Sequence, residues 1–123
     1  MKILSPKVHG VLDYVVVVMF LAAPPVLGLS GAAALLSRVL AGVHLALTLL
    51  TAFPLGPIKL IPFNIHGWIE MIVGPVLLAV PWLLSFSQEP AARNFYVAAG
   101  SLILATWLVT DYRADPRDGR SEL

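Results

Sequence analysis

Residues 9–29 read HGVLDYVVVVMFLAAPPVLGL, and residues 66–86 read HGWIEMIVGPVLLAVPWLLSF. Each stretch opens on His-Gly, sets an acid four residues after the histidine (Asp13, Glu70) and a proline fifteen residues after it (Pro24, Pro81). The offset between the two stretches is 57 residues at every one of these positions. An α-helix needs about 20 apolar residues to cross a bilayer core, and both stretches suffice. A chain organised around this pair is expected to fold as one membrane unit written twice.

Composition excludes the water-soluble alternative. Of the 123 residues 59% are hydrophobic and 12% charged, where a soluble domain carries about a quarter of its residues charged. So few charges cannot cover a wetted surface, so most of the exterior is expected to face lipid. Net charge is +1 without a basic cluster, which argues against a nucleic-acid partner. With no cysteine, disulfides, thiolate metal ligands and cysteine nucleophiles are excluded. The first apolar run is longer than the h-region of a signal peptide, and its recurrence at 66–86 marks it as a retained span.

Taken in order, the chain gives a basic lead-in over 1–7, then spans at about 8–29, 32–53, 65–86 and 94–110. PLGPIKLIPFN, with three prolines and a glycine, cannot be regular helix and is expected to form the longest internal loop. Gly74, Pro75 and Pro81 lie inside the third span, where neighbouring helices can satisfy the freed backbone groups. The expectation is a single membrane domain over 1–123, with repeat units at 2–53 and 59–110 and a charged cytoplasmic tail at 111–123. Lys2, Lys7, Lys59, Arg113, Arg117 and Arg120 fall on one side of a four-span topology, and only Arg38 and Arg93 on the other. The positive-inside bias then puts both termini in the cytoplasm, in the inner (plasma) membrane.

The fold expected is therefore all-α, a four-helix membrane bundle of two tandem parallel repeats. Such copies share one orientation, so His9 and His66 should lie at equal depth near the cytoplasmic interface, with Asp13 and Glu70 one turn deeper. In the second span Ser37, Ala41, His44, Thr48 and Thr51 form a small, polar stripe, matched in the fourth by Asn94, Ala98, Ser101 and Ala105. Small residues let membrane helices approach closely, so both stripes are expected to face other helices. The helix ends LLTAF and LVTDY are also alike, at an offset of 59 rather than 57.

The doubled unit, with Ala23-Pro24-Pro25-Val26 and Val80-Pro81-Trp82-Leu83 near the far ends of its first helices, resembles the SPW-repeat family of small membrane proteins. The segment TAFPLGPIKLIPFNIHGWIE is similar to that family's link between units. Ala23 and Val80 stand where the family name has serine, and only Trp82 keeps its tryptophan. The resemblance implies a two-helix repeat and membrane residence, and no biochemical activity.

His9/Asp13 and His66/Glu70 are the residues with chemistry to offer. Four-residue spacing puts each histidine and acid on one helical face, and ionisable groups at membrane depth point to function. Two such pairs could bind a divalent metal through two nitrogens and two oxygens, or relay protons. Close to the headgroups they could equally cap, anchor or pair helices. His44 is expected to bond a hydroxyl or Asp13. Haem ligation would need two histidines at one depth on facing helices, a condition His9 and His66 meet and His44, opposite Ser101, does not. Arg38 and Trp82 read as interface anchors. No catalytic triad or phosphate loop is present.

The functional expectation is a non-enzymatic scaffold or accessory subunit, in contact with lipid and associating with itself or with a larger membrane complex, without a cofactor. The alternative is a metal- or haem-binding redox or proton-transfer protein using His9, Asp13, His66, Glu70 and His44. A dimeric transporter or channel lined by Asp13 and Glu70 is the third.

Overall fold

The computed structural model describes residues 2–113. Four helices, α1 (Pro6–Leu27), α2 (Gly31–Leu49), α3 (Phe63–Leu83) and α4 (Pro90–Val109), carry the chain, and each is long and apolar enough to cross a membrane. Between α2 and α3, the two-residue strands β1 (Thr51–Ala52) and β2 (Ile61–Pro62) pair in parallel. The protein is all-helical and integral to a membrane. Of the tail expected at 111–123, residues 114–123 lie outside the described residues.

Local chemistry sets the helix ends. Ser5 caps α1, its Oγ accepting from Val8 N at 3.3 Å, and Pro6 takes the first turn, where a missing N–H costs nothing. At the other end Gly28 turns left-handed (φ 66°), and Leu29 N donates to Pro24 O. The end of α3 repeats this geometry, with Ser85 left-handed (φ 62°) and Phe86 N donating to Pro81 O. Helix α2 stops at Leu49, earlier than the expected residue 53, because Leu50 closes its last turn and Thr51 leaves into the strand pair.

α1 packs along α2, and α3 along α4, giving two hairpins. α1 also meets α4, whereas few backbone contacts join α2 to α3. At the α3/α4 crossing a Cβ on Gly100 would stand 2.7 Å from Gly74 O, so only glycine permits that approach. Ser37 Oγ donates to Phe20 O across α1/α2, and Tyr96 Oη donates to Ala33 O across α2/α4. With lipid as the alternative environment, such close packing and interhelical bonds hold the helices together more than apolar burial does. Val11, Val15, Val18 and Leu21 form an exposed stripe along α1, as lipid contact requires.

One expectation is corrected. Ser37, Ala41 and Thr48 are buried as expected, but Asn94, Ala98, Ser101 and Ala105 are exposed. The buried face of α4 is Ala92, Tyr96, Ala99, Gly100, Ile103 and Thr106. The cause is loop length. Two residues separate Gly28 from α2 and four separate Ser85 from α4, so the offset of 57 holds through the Gly28/Ser85 turns and becomes 59 in the second helix of each pair. Ser37 then corresponds to Tyr96, Ala41 to Gly100, His44 to Ile103 and Thr51 to Thr110. Arg38 and Trp82 are exposed.

Candidate metal centre

The start of α1 and α3 and the end of α2 and α4 lie at one end of the molecule, and the histidine–acid pairs meet there. His9 and His66 are fully buried, Asp13 and Glu70 nearly so. The cluster is a ring in which each carboxylate bridges both histidines. Asp13 Oδ1 stands 3.3 Å from His9 Nε2 and Asp13 Oδ2 3.2 Å from His66 Nε2. Glu70 Oε2 stands 3.2 Å from His9 Nε2 and Oε1 3.3 Å from His66 Nε2. The sequence pairs each histidine with its own acid; the fold adds the two cross-pairs between hairpins.

Two threonines fix the histidine tautomers. Thr110 Oγ1 donates its one hydrogen to Thr106 O (2.6 Å), so at 2.8 Å from His9 Nδ1 it must accept. Thr51 Oγ1 likewise donates to Leu47 O (2.6 Å) and accepts from His66 Nδ1 (2.8 Å). Both histidines therefore carry hydrogen on Nδ1 and turn Nε2 to the carboxylates. Neither Nε2 makes a hydrogen bond among the described residues, and neither do Asp13 Oδ2 and His44 Nε2. Each Nε2, buried between two carboxylates, needs something positive there, either a second proton on the ring or a metal ion.

A metal ion answers that requirement. One ligand atom from each of His9, Asp13, His66 and Glu70 can be chosen so that all lie within 4.8 Å of one another. Metal–ligand bonds of about 2.0–2.1 Å set the corners of a tetrahedron about 3.3–3.4 Å apart. Each carboxylate now spreads its two oxygens over the two histidines, so one oxygen of each acid would have to turn inward to bind an ion. A divalent ion would balance the two carboxylates, and the threonines supply the hydrogen bonds that orient histidine ligands at metal sites. Haem fits poorly: carboxylate oxygens stand where a macrocycle between His9 and His66 would lie, and the rings are only 5.2 Å apart.

Beyond the ring the hairpins differ. His44 Nε2 lies 3.5 Å from Asp13 Oδ1 without a hydrogen bond to it, and is not part of the four-residue group. Its counterpart is apolar Ile103. Glu70 instead accepts from Tyr112 Oη at 2.7 Å, where the first hairpin has Phe53. Burial and the Glu70 charge push the Tyr112 phenol well above its ordinary value, so it remains a donor. Phe53, Phe63 and Tyr112 cap the cluster, with ring centroids 5.8 Å (Phe53–Phe63) and 4.7 Å (Phe63–Tyr112) apart. Glycine makes room for that cap, since a Cβ on Gly10 would stand 2.2 Å from the Phe53 ring and one on Gly67 2.8 Å from the Tyr112 ring. Tyr14 Oη and Lys59 Nζ hold the loop after α2 through Leu55 O and Phe53 O.

Sequence reasoning assigned no site role to Thr51, Thr110, Phe53 and Tyr112. Their signal was the LLTAF/LVTDY likeness at offset 59, which contains all four.

The SPW repeat domain matches residues 7–113. No curated protein and no solved structure matches the chain.

Proposed function

The chain belongs to the SPW repeat family, and within that frame we propose that it is a small membrane protein holding one divalent transition metal between its two hairpins. His9 and His66 would give Nε2, Asp13 and Glu70 one oxygen each, and Thr51 and Thr110 would orient the imidazoles. The observation that carries this reading is the pair of fully buried Nε2 atoms, turned by threonine toward carboxylates and without hydrogen bonds. Two nitrogen and two oxygen donors suit zinc, iron or manganese rather than a thiophilic ion. The ring itself supports the reading of the chain as two tandem parallel units, because equivalent residues from both make it. The lysine and arginine distribution supports cytoplasmic termini in the plasma membrane, with the centre toward that face.

Metal analysis of protein purified in detergent and offered zinc, iron(II) and manganese(II) tests this. The expected result is about one equivalent per chain, lost in His9→Ala and in His66→Ala. A protein that stays metal-free, with both variants merely less stable, would return the ring to a purely structural ion-pair role.

A second reading is association with copies of itself or with a larger membrane complex. The outward position of Asn94, Ala98 and Ser101 on α4 favours it, since small residues on a lipid-facing surface suit helix contact. Native mass spectrometry of wild type and Ala98→Leu is the test; loss of a larger species in the variant is expected.

A further inference from the structure

The proposed centre is shut at its helix-end side. The large cavity there, about 770 Å³, is lined by Phe53, Phe63, Tyr112 and the loop after α2, and none of the four ring residues reaches it. A second, smaller cleft does reach the ring. It holds about 50 Å³ between α2 and α3, and its walls include Leu40, Val43 and His44 on one side and Glu70 and Val73 on the other, over Phe20. This is the seam where α2 and α3 have few backbone contacts, whereas α1 and α4 meet across the equivalent seam. Val43 at its rim is 59% exposed. Since both helices span the bilayer, the cleft opens onto lipid.

Size, lining and polarity define what could use it. A water-sized probe occupies about 10–15 Å³, so the cleft admits a molecule of a few heavy atoms. Its walls are apolar apart from Glu70 and His44, so a charged molecule would have to shed its hydration. His44 Nε2, buried and without a hydrogen bond among the described residues, offers one polar contact beside the ring. We propose that small uncharged molecules, of the size of a diatomic gas, reach the metal sideways from the bilayer through this cleft and bind next to His44. The proposal rests on the metal centre above and adds the route and the ligand class.

The test uses the full chain in lipid nanodiscs, loaded with iron(II), with nitric oxide as probe and stopped-flow absorbance as readout. Leu40→Trp, which fills the cleft, is expected to slow nitric oxide binding about ten-fold or more, and Leu40→Ala, which widens it, to speed binding several-fold. Iron content should be unchanged in both. Val39→Trp, on the exposed surface of α2 outside the cleft, should match wild type. Should Leu40→Trp not fold, Val43→Phe replaces it, and Leu40→Ala still reads the opposite sign. Full iron loading with rates indifferent to both cleft substitutions, or no nitric oxide binding at all, would overturn the route and leave the metal centre standing. Failure of the wild type to take up any metal would remove the centre and the route together.

Discussion

The two hairpins supply matching halves of one ring and then depart from each other by two exchanges. Around His9 and His66 the correspondence is close: each imidazole gives Nδ1–H to a threonine from the other hairpin and Nε2 to both acids. Around the acids it breaks. The first hairpin offers His44 to Asp13 and places Phe53 in the cap; the second has Ile103 and Tyr112 at those positions, and Tyr112 bonds Glu70. The shared part is what a metal needs, namely donors and their orientation. The unshared part makes the surroundings unequal, with the cleft and His44 on one side and a hydrogen-bonded phenol on the other.

The largest expected effect tests whether both cap rings are held equally. Gly10→Ala and Gly67→Ala each place a methyl where the Phe53 or Tyr112 ring now lies, at 2.2 Å and 2.8 Å. Alanine in a helix would otherwise gain about 0.5–1 kcal/mol over glycine, so any loss measures the collision. Phe53 is almost fully buried and stacked on Phe63, while Tyr112 is half-buried at the end of the described chain. Gly10→Ala should therefore cost about 3 kcal/mol and Gly67→Ala about 1 kcal/mol, within the range for overpacking. Denaturation midpoints in detergent rank the two; the reverse order would mean that Phe53 yields more easily than its burial implies.

Next come the threonines, where the halves should agree. Thr51→Val and Thr110→Val keep the shape and remove the acceptor from His66 and His9. Loss of an outer-shell partner of this kind lowers metal affinity about 10–100-fold, and competition with a chelator should show similar losses in the two variants. A large loss in one alone would show that the ring binds its ion through one hairpin chiefly.

Tyr112→Phe erases one of the two exchanges. Its hydrogen bond goes to a carboxylate, so removal should cost about 1.5–3 kcal/mol of stability, discounted toward the low end by its partial exposure. The pH dependence has a definite sign. The Tyr112 phenol is raised in the folded protein, so its contribution is complete below the unfolded value of about 10 and declines as pH rises above it. The gap between wild type and variant should be constant from pH 7 to 9 and narrow above 10. A gap already narrowing at pH 8 would contradict the bond to Glu70.

How much of this was legible beforehand follows from the two offsets. The four spans, the histidine–acid faces and the equal rank of His9 and His66 rest on periodicity and on the 57-residue offset, both of which survive because α1 and α3 are rigid helices of like register. The buried face of α4 was misread because the offset changes inside a loop, where added residues leave no mark on helical period. The threonines escaped notice for a different reason. Each acts on the histidine of the other hairpin, and Thr110 lies 101 residues from His9, a contact that no local pattern encodes. The cross-pairs of the ring required both hairpins to be docked.

The smallest effect concerns the turns at which the hairpins still agree. Gly28 and Ser85 both adopt left-handed backbone, and both are followed by a bond back to a proline carbonyl. Glycine takes that conformation without strain, whereas a residue with a Cβ loses about 1–2 kcal/mol there. Ser85→Gly removes that strain and also frees the unfolded chain, an opposing term of about 0.4–1 kcal/mol. The net expected gain is about 0.5 kcal/mol, visible as a slightly higher midpoint with metal uptake unchanged. Gly28→Ser should lose about the same amount. Equal and opposite shifts would show that the two turns differ only in the residue occupying them. A loss on Ser85→Gly would instead mean that the longer α3–α4 loop uses the serine side chain, and that the hairpins already diverge at this turn.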